Sequence, residues 1–159
     1  MYKRQLRDPQ VYGNNLSSLD LTGCTGMVTL DAKNNELTTL DLSTNDNLAT
    51  LLLEGNDITS IDVTNNPNLS YLRVHSNGLA SIDLSSNPSL SHLNLYNNDL
   101  TTLDLSNNPL LTYLNLSSND LTTLDVSDNP LLIQLHVSSS GLTTMDVSSN
   151  DSLLSLIHI

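Results

Sequence analysis

Residues 90–131 read LSHLNLYNNDLTTLDLSNNPLLTYLNLSSNDLTTLDVSDNPL, which is one 21-residue unit written twice with few changes. The same frame continues in both directions and divides residues 6–152 into seven consecutive units. The units are 6–26, 27–47, 48–68, 69–89, 90–110, 111–131 and 132–152. A fixed period of this length is the signature of a solenoid, in which each unit buries its apolar side chains only against its neighbours.

The apolar residues occupy fixed places in the unit. Counted from the first residue of each unit, they fill positions 1, 4, 6, 11, 14 and 16, and Pro9 is the one departure. Both halves of the unit alternate apolar and polar residues, which is typical of strands. The pattern therefore predicts two short parallel β-strands in each 21-residue coil and little or no helix.

The residues also carry a family resemblance. Segments of the form LxxLxLxxNxL, such as LTYLNLSSNDL at 111–121, alternate with segments such as LDLSNN at 103–108. This alternation resembles bacterial leucine-rich repeats of the 21-residue IRREKO type and the repeats of internalin-like surface proteins, and it covers residues 6–153. It implies a leucine-rich-repeat solenoid of the α/β horseshoe class, dominated here by β-structure. It also implies a secreted or cell-surface protein with an adhesive or protein-binding role.

The two ends of the chain depart from the pattern. Residues 1–5 lie outside the frame, and residues 153–159 begin an eighth unit that places His158 where an aliphatic residue is required. Both tails resemble translated adapter sequence, so we expect an internal piece of a longer protein with foreign tails. Solenoids generally need polar caps, and uncapped ends predict end-to-end self-association.

Composition limits the classes of partner. The chain has 17 acidic and 5 Lys or Arg residues, for a formal net charge of −12. Nucleic-acid binding needs clustered basic residues to displace counterions, so the charge argues against nucleic acid. No apolar run reaches the ~20 residues of a membrane helix, which argues against membrane insertion. We expect a protein or glycan partner instead.

One face of the predicted sheet concentrates side chains that suit binding. Positions 3, 5 and 7 of each unit point away from the core on the concave side and hold every Tyr and His of residues 6–152. Large side chains with polar tips are enriched at interfaces. The candidate binding residues are Tyr71, Arg73, His75, His92, Tyr96 and Tyr113. The competing interpretation is that aromatic columns on an exposed sheet simply stack across strands.

Position 15 is an aspartate in all seven units. In-register carboxylates about 4.8 Å apart repel, so something must relieve the repulsion. One interpretation is hydrogen bonding to nearby Ser or Thr hydroxyls or backbone amides. The alternative is weak Ca²⁺ binding, because Ca²⁺ takes many carboxylate oxygens. The candidate metal residues are Asp62, Asp83, Asp104 and Asp125.

Positions 9 and 19 are nearly always asparagine, and we interpret both columns as internal amide ladders that satisfy backbone groups at the bends. Ser140 and Cys24 are the exceptions. Thr pairs such as Thr101 and Thr102 suggest an ice- or mineral-facing surface, but strand alternation predicts that only one of each pair reaches solvent.

Neither catalysis nor zinc binding is expected from this pattern. The three histidines of the repeats lie in different columns and units, and the aspartate column is across the core from them, so neither a zinc site nor a catalytic relay is predicted. We expect no enzyme activity and no cofactor. The predicted function is protein or glycan binding through the concave sheet of an extracellular or cell-surface protein. The alternative is a passive structural spacer.

Overall fold

The computed structural model describes residues 6–157, which form a single parallel sheet and contain no helix, and hence no helix that could cross a membrane. The strands are β1 (Thr29–Asp31), β2 (Thr50–Leu52), β3 (Tyr71–Arg73), β4 (His92–Asn94), β5 (Tyr113–Asn115), β6 (Gln134–His136) and β7 (Ser155–Ile157). Each strand pairs in register with the next, as when Leu93 lies beside Leu114. Equal positions of successive coils therefore lie side by side, roughly 4.8 Å apart.

The prediction of two strands per coil is wrong, because the other half of each coil forms bends and turns. Several of its backbone amides donate within the same coil and so turn the chain. In the fifth unit, Ser106 N donates to Asp104 Oδ1 at 2.9 Å and Asn108 N donates to Leu105 O at 3.1 Å. A backbone that turns at these points does not pair as a strand with the next coil, so a single sheet remains.

The threonine pairs lie in this turning half and are oriented differently from the prediction. Thr101 and Thr102 are both exposed, as are Thr122 and Thr123. The expectation that one member of each pair points inward is wrong. Strict alternation requires a pleated strand, and this segment is not one.

The predicted apolar positions build one continuous core. In the central coils the strand side is closed to solvent, as Leu90, Leu93 and Leu95 show by having no exposed surface. On the turning side Leu105 is also buried, whereas Leu103 is only partly buried against the core. Each buried aliphatic side chain contributes roughly 1.5–3 kcal/mol gross. The contribution depends on the adjacent coils, because only they cover it.

The ninth-position asparagines fasten one coil to the next. Asn56 Nδ2 donates to Leu53 O of its own coil at 2.9 Å and to Ala32 O of the preceding coil at 3.1 Å. Its Oδ1 accepts a hydrogen bond from Leu37 N at 3.0 Å. One amide thereby satisfies three backbone groups at a bend where the sheet ladder has ended.

The asparagines at position 19 form a second buried column at the opposite bend. Asn108 Nδ2 donates to Asn87 O at 3.0 Å and Leu84 O at 3.1 Å, and its side chain has no exposed surface. Cys24 holds this place in the first coil, where it is buried and its carbonyl accepts from Asn45 Nδ2 at 3.0 Å. The geometry agrees with the interpretation of both columns as structural ladders.

Each unit uses left-handed backbone at position 8, in the bend that follows its outward-facing segment. In all seven units this residue has a positive φ, and the residues are Gly13, Asn34, Gly55, Ser76, Asn97, Ser118 and Ser139. Glycine adopts this conformation freely, and asparagine tolerates it better than most residues. At Gly55 an added Cβ would lie 2.6 Å from Asn34 Oδ1, so this position also has a close neighbour.

At the ends, the first coil contributes one isolated bridge between Gln10 and Asp31, while residues 155–157 form β7 and pair with β6. The last segment therefore continues the fold up to residue 157, although part of it was predicted to be foreign. Residues 1–5 and His158, which that prediction also covered, lie outside the described residues.

We expect Asn108→Ala to lower the free energy of unfolding by about 1–2 kcal/mol, because two carbonyls lose a buried donor. The loss is moderate because the unpaired Asn108 Oδ1 is removed as well. Thermal denaturation followed by circular dichroism measures the effect. The adjacent Asn107→Ala is the control, since Asn107 is exposed and its side chain bonds, among residues 6–157, only to Ser106 Oγ. Equal melting temperatures for the two variants would contradict the structural role of the ladder.

Candidate binding face

The outward side of the sheet is built from positions 3, 5 and 7 of each coil, and we call it the strand face. Every residue of the predicted patch lies on it. Tyr71 and Arg73 are in β3, His92 is in β4, Tyr113 is in β5, and His75 and Tyr96 follow β3 and β4 by two residues. In-register pairing of β3, β4 and β5 brings them together from three coils.

The centre of the strand face is a stack of three rings. The centroids of Tyr71 and His92 are 4.0 Å apart with planes 4° from parallel, and those of His92 and Tyr113 are 4.2 Å apart at 6°. In-register strands place the three residues directly beside one another, so the ring planes face along the direction in which the coils stack. Both faces of the His92 ring are therefore covered, and the stack presents ring edges outward.

Further rings lie around the stack. His75 and Tyr96 form a tilted pair with centroids 6.2 Å apart, and Tyr96 is 40% exposed. His136 lies 5.5 Å from Tyr113 at 39° and extends the cluster to β6. The sequence prediction left His136 out of the patch, although its fifth position on the adjacent strand was a usable signal.

Arg73 is held by two neighbours. Its Nη2 lies 3.4 Å from Glu54 Oε1 and 3.1 Å from His75 Nε2. His75 Nδ1 lies 3.3 Å from Ser76 Oγ, so a neutral ring can accept from Arg73 and donate to Ser76. Glu54 is 7% exposed, although its seventh position suggested an exposed residue. The sequence prediction missed the contact between Glu54 and Arg73, because it joins position 7 of one coil to position 5 of the next.

Two asparagines in the fifth column have fixed orientations. Asn94 Oδ1 accepts from Tyr96 N at 3.1 Å, and Asn115 Oδ1 accepts from Ser117 N at 3.1 Å. Each Nδ2 consequently points away from the backbone and has no partner among residues 6–157. Sequence reasoning did not select them, because an asparagine beside a strand does not show which end of its amide is free.

Both central histidines favour the neutral form. Burial, together with the nearby Arg73 charge, lowers the pKa of His92 from its ordinary value of 6.5 to about 4. Burial also lowers the pKa of His75, with Arg73 acting in the same direction and Glu54 opposing it. At neutral pH the patch therefore carries little net charge, since Arg73 is balanced by Glu54.

A smaller charged cluster lies nearer the start of the sheet. Lys33 Nζ is 3.0 Å from Asp31 Oδ2 and 4.9 Å from the centre of the Tyr12 ring. The hydrogen bond with Asp31 is the largest cause of the raised pKa of Lys33. The charges of Lys33 and Asp31 are therefore paired with each other within this cluster.

The aspartates of position 15 lie on the turning side and act as turn acceptors. Asp62 Oδ1 accepts from Thr64 N at 2.9 Å and Thr64 Oγ1 at 2.6 Å, and the hydroxyl followed by the amide lowers the pKa of Asp62. At Asp125 the amide of Ser127, 2.9 Å away, and then its hydroxyl lower the pKa. Asp83 and Asp104 make the same contact. Among residues 6–157, no group of three His, Cys, Asp or Glu residues is arranged to hold a metal ion.

A profile of the Leucine Rich Repeat family matches residues 99–112. This match, the in-register coils of 21 residues and the asparagine ladders together decide the architecture. The chain is a leucine-rich-repeat solenoid. No curated protein sequence matches it.

Solved structures extend the comparison. The functional domain of InlJ from Listeria monocytogenes is 34% identical over 98% of this chain and 40% of its own, with a TM-score of 0.77. The repeat protein LIC12759 from Leptospira interrogans superposes with a TM-score of 0.90 at 24% identity, over 98% of this chain and 44% of its own. The chain thus spans less than half the length of either protein, and its fold resembles that of the InlJ domain. The InlJ domain includes a cysteine ladder, whereas this chain has one cysteine.

We expect stability to fall between pH 6.5 and pH 4, because the unfolded chain binds a proton at His92 before the folded chain does. The contribution of His92 is about 1–2 kcal/mol once solvent screening reduces the value implied by the pKa shift. NMR titration should give His92 a pKa of about 4, and urea unfolding measures the stability. His92→Phe keeps a ring in the stack without a titrating group and should flatten this part of the pH profile. A His92 pKa near 6.5 would mean that the stack is open in solution.

Proposed function

We propose that this solenoid is the protein-binding part of a secreted or cell-surface bacterial protein, and that the strand face around the Tyr71–His92–Tyr113 stack is its binding surface. The observation that carries the proposal is the concentration of rings and unpaired donors on one face. Tyrosine, histidine and arginine lie there together, while the turning side is mainly Ser, Thr, Asn and Asp. Tyrosine and arginine are the residues that dominate binding energy at protein interfaces.

The stack favours a protein over a glycan. A sugar bound by stacking needs an open ring face, and both faces of the central ring, His92, are covered by tyrosines with centroids 4.0 and 4.2 Å away, which leaves only the outer rings of the patch for such stacking. What the patch offers is ring edges, hydroxyls and amide donors, which suit polar and apolar groups of a polypeptide. A glycan that lies across the ring edges is the second candidate ligand.

Nucleic acid is disfavoured by charge. The net charge of −12 repels a phosphate backbone, and Arg73 and Lys33 are each paired with a carboxylate. A TLR13 structure with a related fold is in complex with single-stranded RNA, at 22% identity and a TM-score of 0.71. That likeness concerns the fold, so the expectation of a protein partner here rests on the charge and the patch.

A role in catalysis is not part of the proposal. His75 and His92 favour the neutral form, but their neighbours among the described residues are rings, Arg73 and Ser76 on an open sheet. A catalytic site needs a pocket that excludes water and donors aimed at a reacting group. The proposed role is recognition by a rigid scaffold, and the passive spacer is the competing role.

We expect Tyr71→Ala, Arg73→Ala and Tyr96→Ala each to weaken protein binders selected from a display library by at least tenfold, since each truncates a large side chain at the centre of the patch. Surface plasmon resonance measures the affinity, and melting temperatures identify any variant that is merely unfolded. Thr122→Ala, exposed on the turning side, is the control. Under the spacer hypothesis, selected binders are distributed over all faces and the three variants behave like the control.

The extracellular location has its own test. Sequencing the source DNA outward from codons 6 and 153 should reveal a secretion signal upstream and a cell-wall or sorting domain downstream. A cytosolic catalytic domain on either side would instead make these repeats an intracellular docking arm.

A further inference from the structure

The bend that leads into the strand carries an exposed apolar patch in the last three coils. Leu110, Leu131 and Ile133 are 47%, 45% and 38% exposed. Pro109 and Pro130 directly precede the two leucines and are exposed as well. In-register stacking of the coils places Leu110 beside Leu131, and Ile133 follows Leu131 by two residues. We call these five residues the corner patch.

The two leucines lie in tight turns that fix their direction. Leu111 N donates to Asn108 O at 3.2 Å. One coil later, Leu132 N donates to Asn129 O at 3.1 Å. Each proline–leucine pair is therefore the centre of a hydrogen-bonded β-turn, and the fixed φ of proline suits the first central place. The leucine takes the second central place, so the backbone holds it at the surface before any ligand arrives.

The turn itself does not require leucine. An earlier coil forms the same turn, in which Leu69 N donates to Asn66 O at 3.0 Å, and it has Asn68 where the later coils have leucine. Asparagine is an ordinary turn residue, whereas leucine is not. The leucines thus add apolar surface that this bend does not need in order to fold.

Position 2 changes from polar to apolar in the same region. The hydroxyls of Ser91 and Thr112 each donate to the position-2 carbonyl of the preceding coil, at 3.1 and 3.0 Å. Ile133 takes the next place in this column and exposes an aliphatic side chain instead. Coils lie on both sides of Leu110, Leu131 and Ile133, so an open end of the solenoid is not the cause of their exposure. A contiguous apolar surface of this kind is typical of an interaction site.

The surroundings of the corner patch are acidic. Asp128 lies two residues before Pro130, and Asp151 takes the place of Pro130 in the next coil. Both are exposed, and neither side chain has a hydrogen-bond or ion-pair partner among residues 6–157. After Arg73 the chain has eight aspartates and no Lys or Arg. The patch therefore lies in a field of one sign, which complements a cationic partner.

The same charges argue against a second copy of this chain as the occupant. Two corner patches placed face to face would bring Asp128 and Asp151 of both copies together, with no Lys or Arg in this half of the chain to separate them. A basic partner replaces that repulsion by attraction, while aliphatic side chains on both sides exclude water from the centre of the contact.

We propose that the corner patch binds a segment of a partner protein in which a few aliphatic residues are flanked by Lys or Arg. The aliphatic residues cover Leu110, Leu131 and Ile133. The cations pair with Asp128 and Asp151. The corner patch shares no residue with the proposed binding surface on the strand face, so the two surfaces are tested separately.

Three synthetic peptides of equal length test this proposal, with binding measured by fluorescence anisotropy at 0.15 M salt. The first has Leu and Ile flanked by Lys, the second has Glu in place of Lys, and the third has Ser in place of Leu and Ile. We expect the first to bind at least tenfold more tightly than either of the others. Equal binding of the first and third would show that charge alone drives association. That result, equal binding of the first and second, or no binding of the first overturns the proposal.

Leu131→Asn locates the contact, because it introduces the residue that Asn68 provides at the same place of an earlier coil. We expect it to weaken the first peptide at least tenfold, since the buried leucine surface is lost. Thr122→Asn is the matched control, exposed on the turning side of the same coil, and should change affinity less than twofold. Melting temperatures verify that both variants fold. Equal affinities of the two variants contradict a contact at the corner patch.

Asp128→Lys tests the acidic rim and should weaken the first peptide at least fivefold. Asp120→Lys makes the same charge change at an exposed position on the opposite bend of the same coil. Because the screening length at this salt is about 8 Å, we expect the second substitution to change affinity less than twofold. Equal effects would mean that only the overall charge matters, which overturns the proposal.

Analytical ultracentrifugation distinguishes the basic partner from a second copy of the chain. We expect Leu131→Asn to leave the oligomeric state of the protein unchanged. A dimer of the wild-type protein that Leu131→Asn abolishes would show that a second copy covers the corner patch, and the proposal would then be wrong.

Discussion

The structure depends on one constraint, which is that each coil pairs with the next in register at a spacing of 21 residues. Parallel strands of three residues form few ladder hydrogen bonds by themselves. Further backbone hydrogen bonds join the coils beyond the strands, such as Leu95 N to Asn115 O at 2.9 Å. Asparagines at both bends add to them, since each Nδ2 reaches carbonyls of its own coil or the preceding one. The aliphatic core is closed by the same stacking, so no coil is stable alone.

In-register stacking also places residues of the same position in successive coils side by side, with effects that depend on the side chain. For Tyr71, His92 and Tyr113 it produces a ring stack, which fixes three side chains before any ligand arrives. For the position-15 aspartates it produces repulsion. Each carboxylate offsets this by accepting hydrogen bonds from the residue two places later, as Asp125 does from Ser127. The same turn explains why that half of the coil is not a strand.

The candidate face was predictable as a set of residues but not as an arrangement. Period and strand alternation place Tyr71 and Tyr113 on one face, because these depend only on position in the unit. The free ends of the Asn94 and Asn115 amides depend on which backbone amide each oxygen meets. The burial of Glu54 depends on Arg73 from the next coil. The Glu54–Arg73 contact joins two units, and the amide contacts, although each lies within one unit, depend on side-chain orientations that the repeat pattern does not specify.

The sequence by itself determined the solenoid, its period, its aliphatic core and its two asparagine ladders. A 21-residue period leaves in-register stacking as the way to bury six apolar positions per coil. Only the tertiary structure decided that each coil has one strand, that both Thr101 and Thr102 face solvent, and that residues 155–157 join the sheet. Alternation of apolar residues is compatible with a strand or with a turning segment that touches the core at intervals. Backbone hydrogen bonds choose between them, and those bonds exist only once the coils have packed.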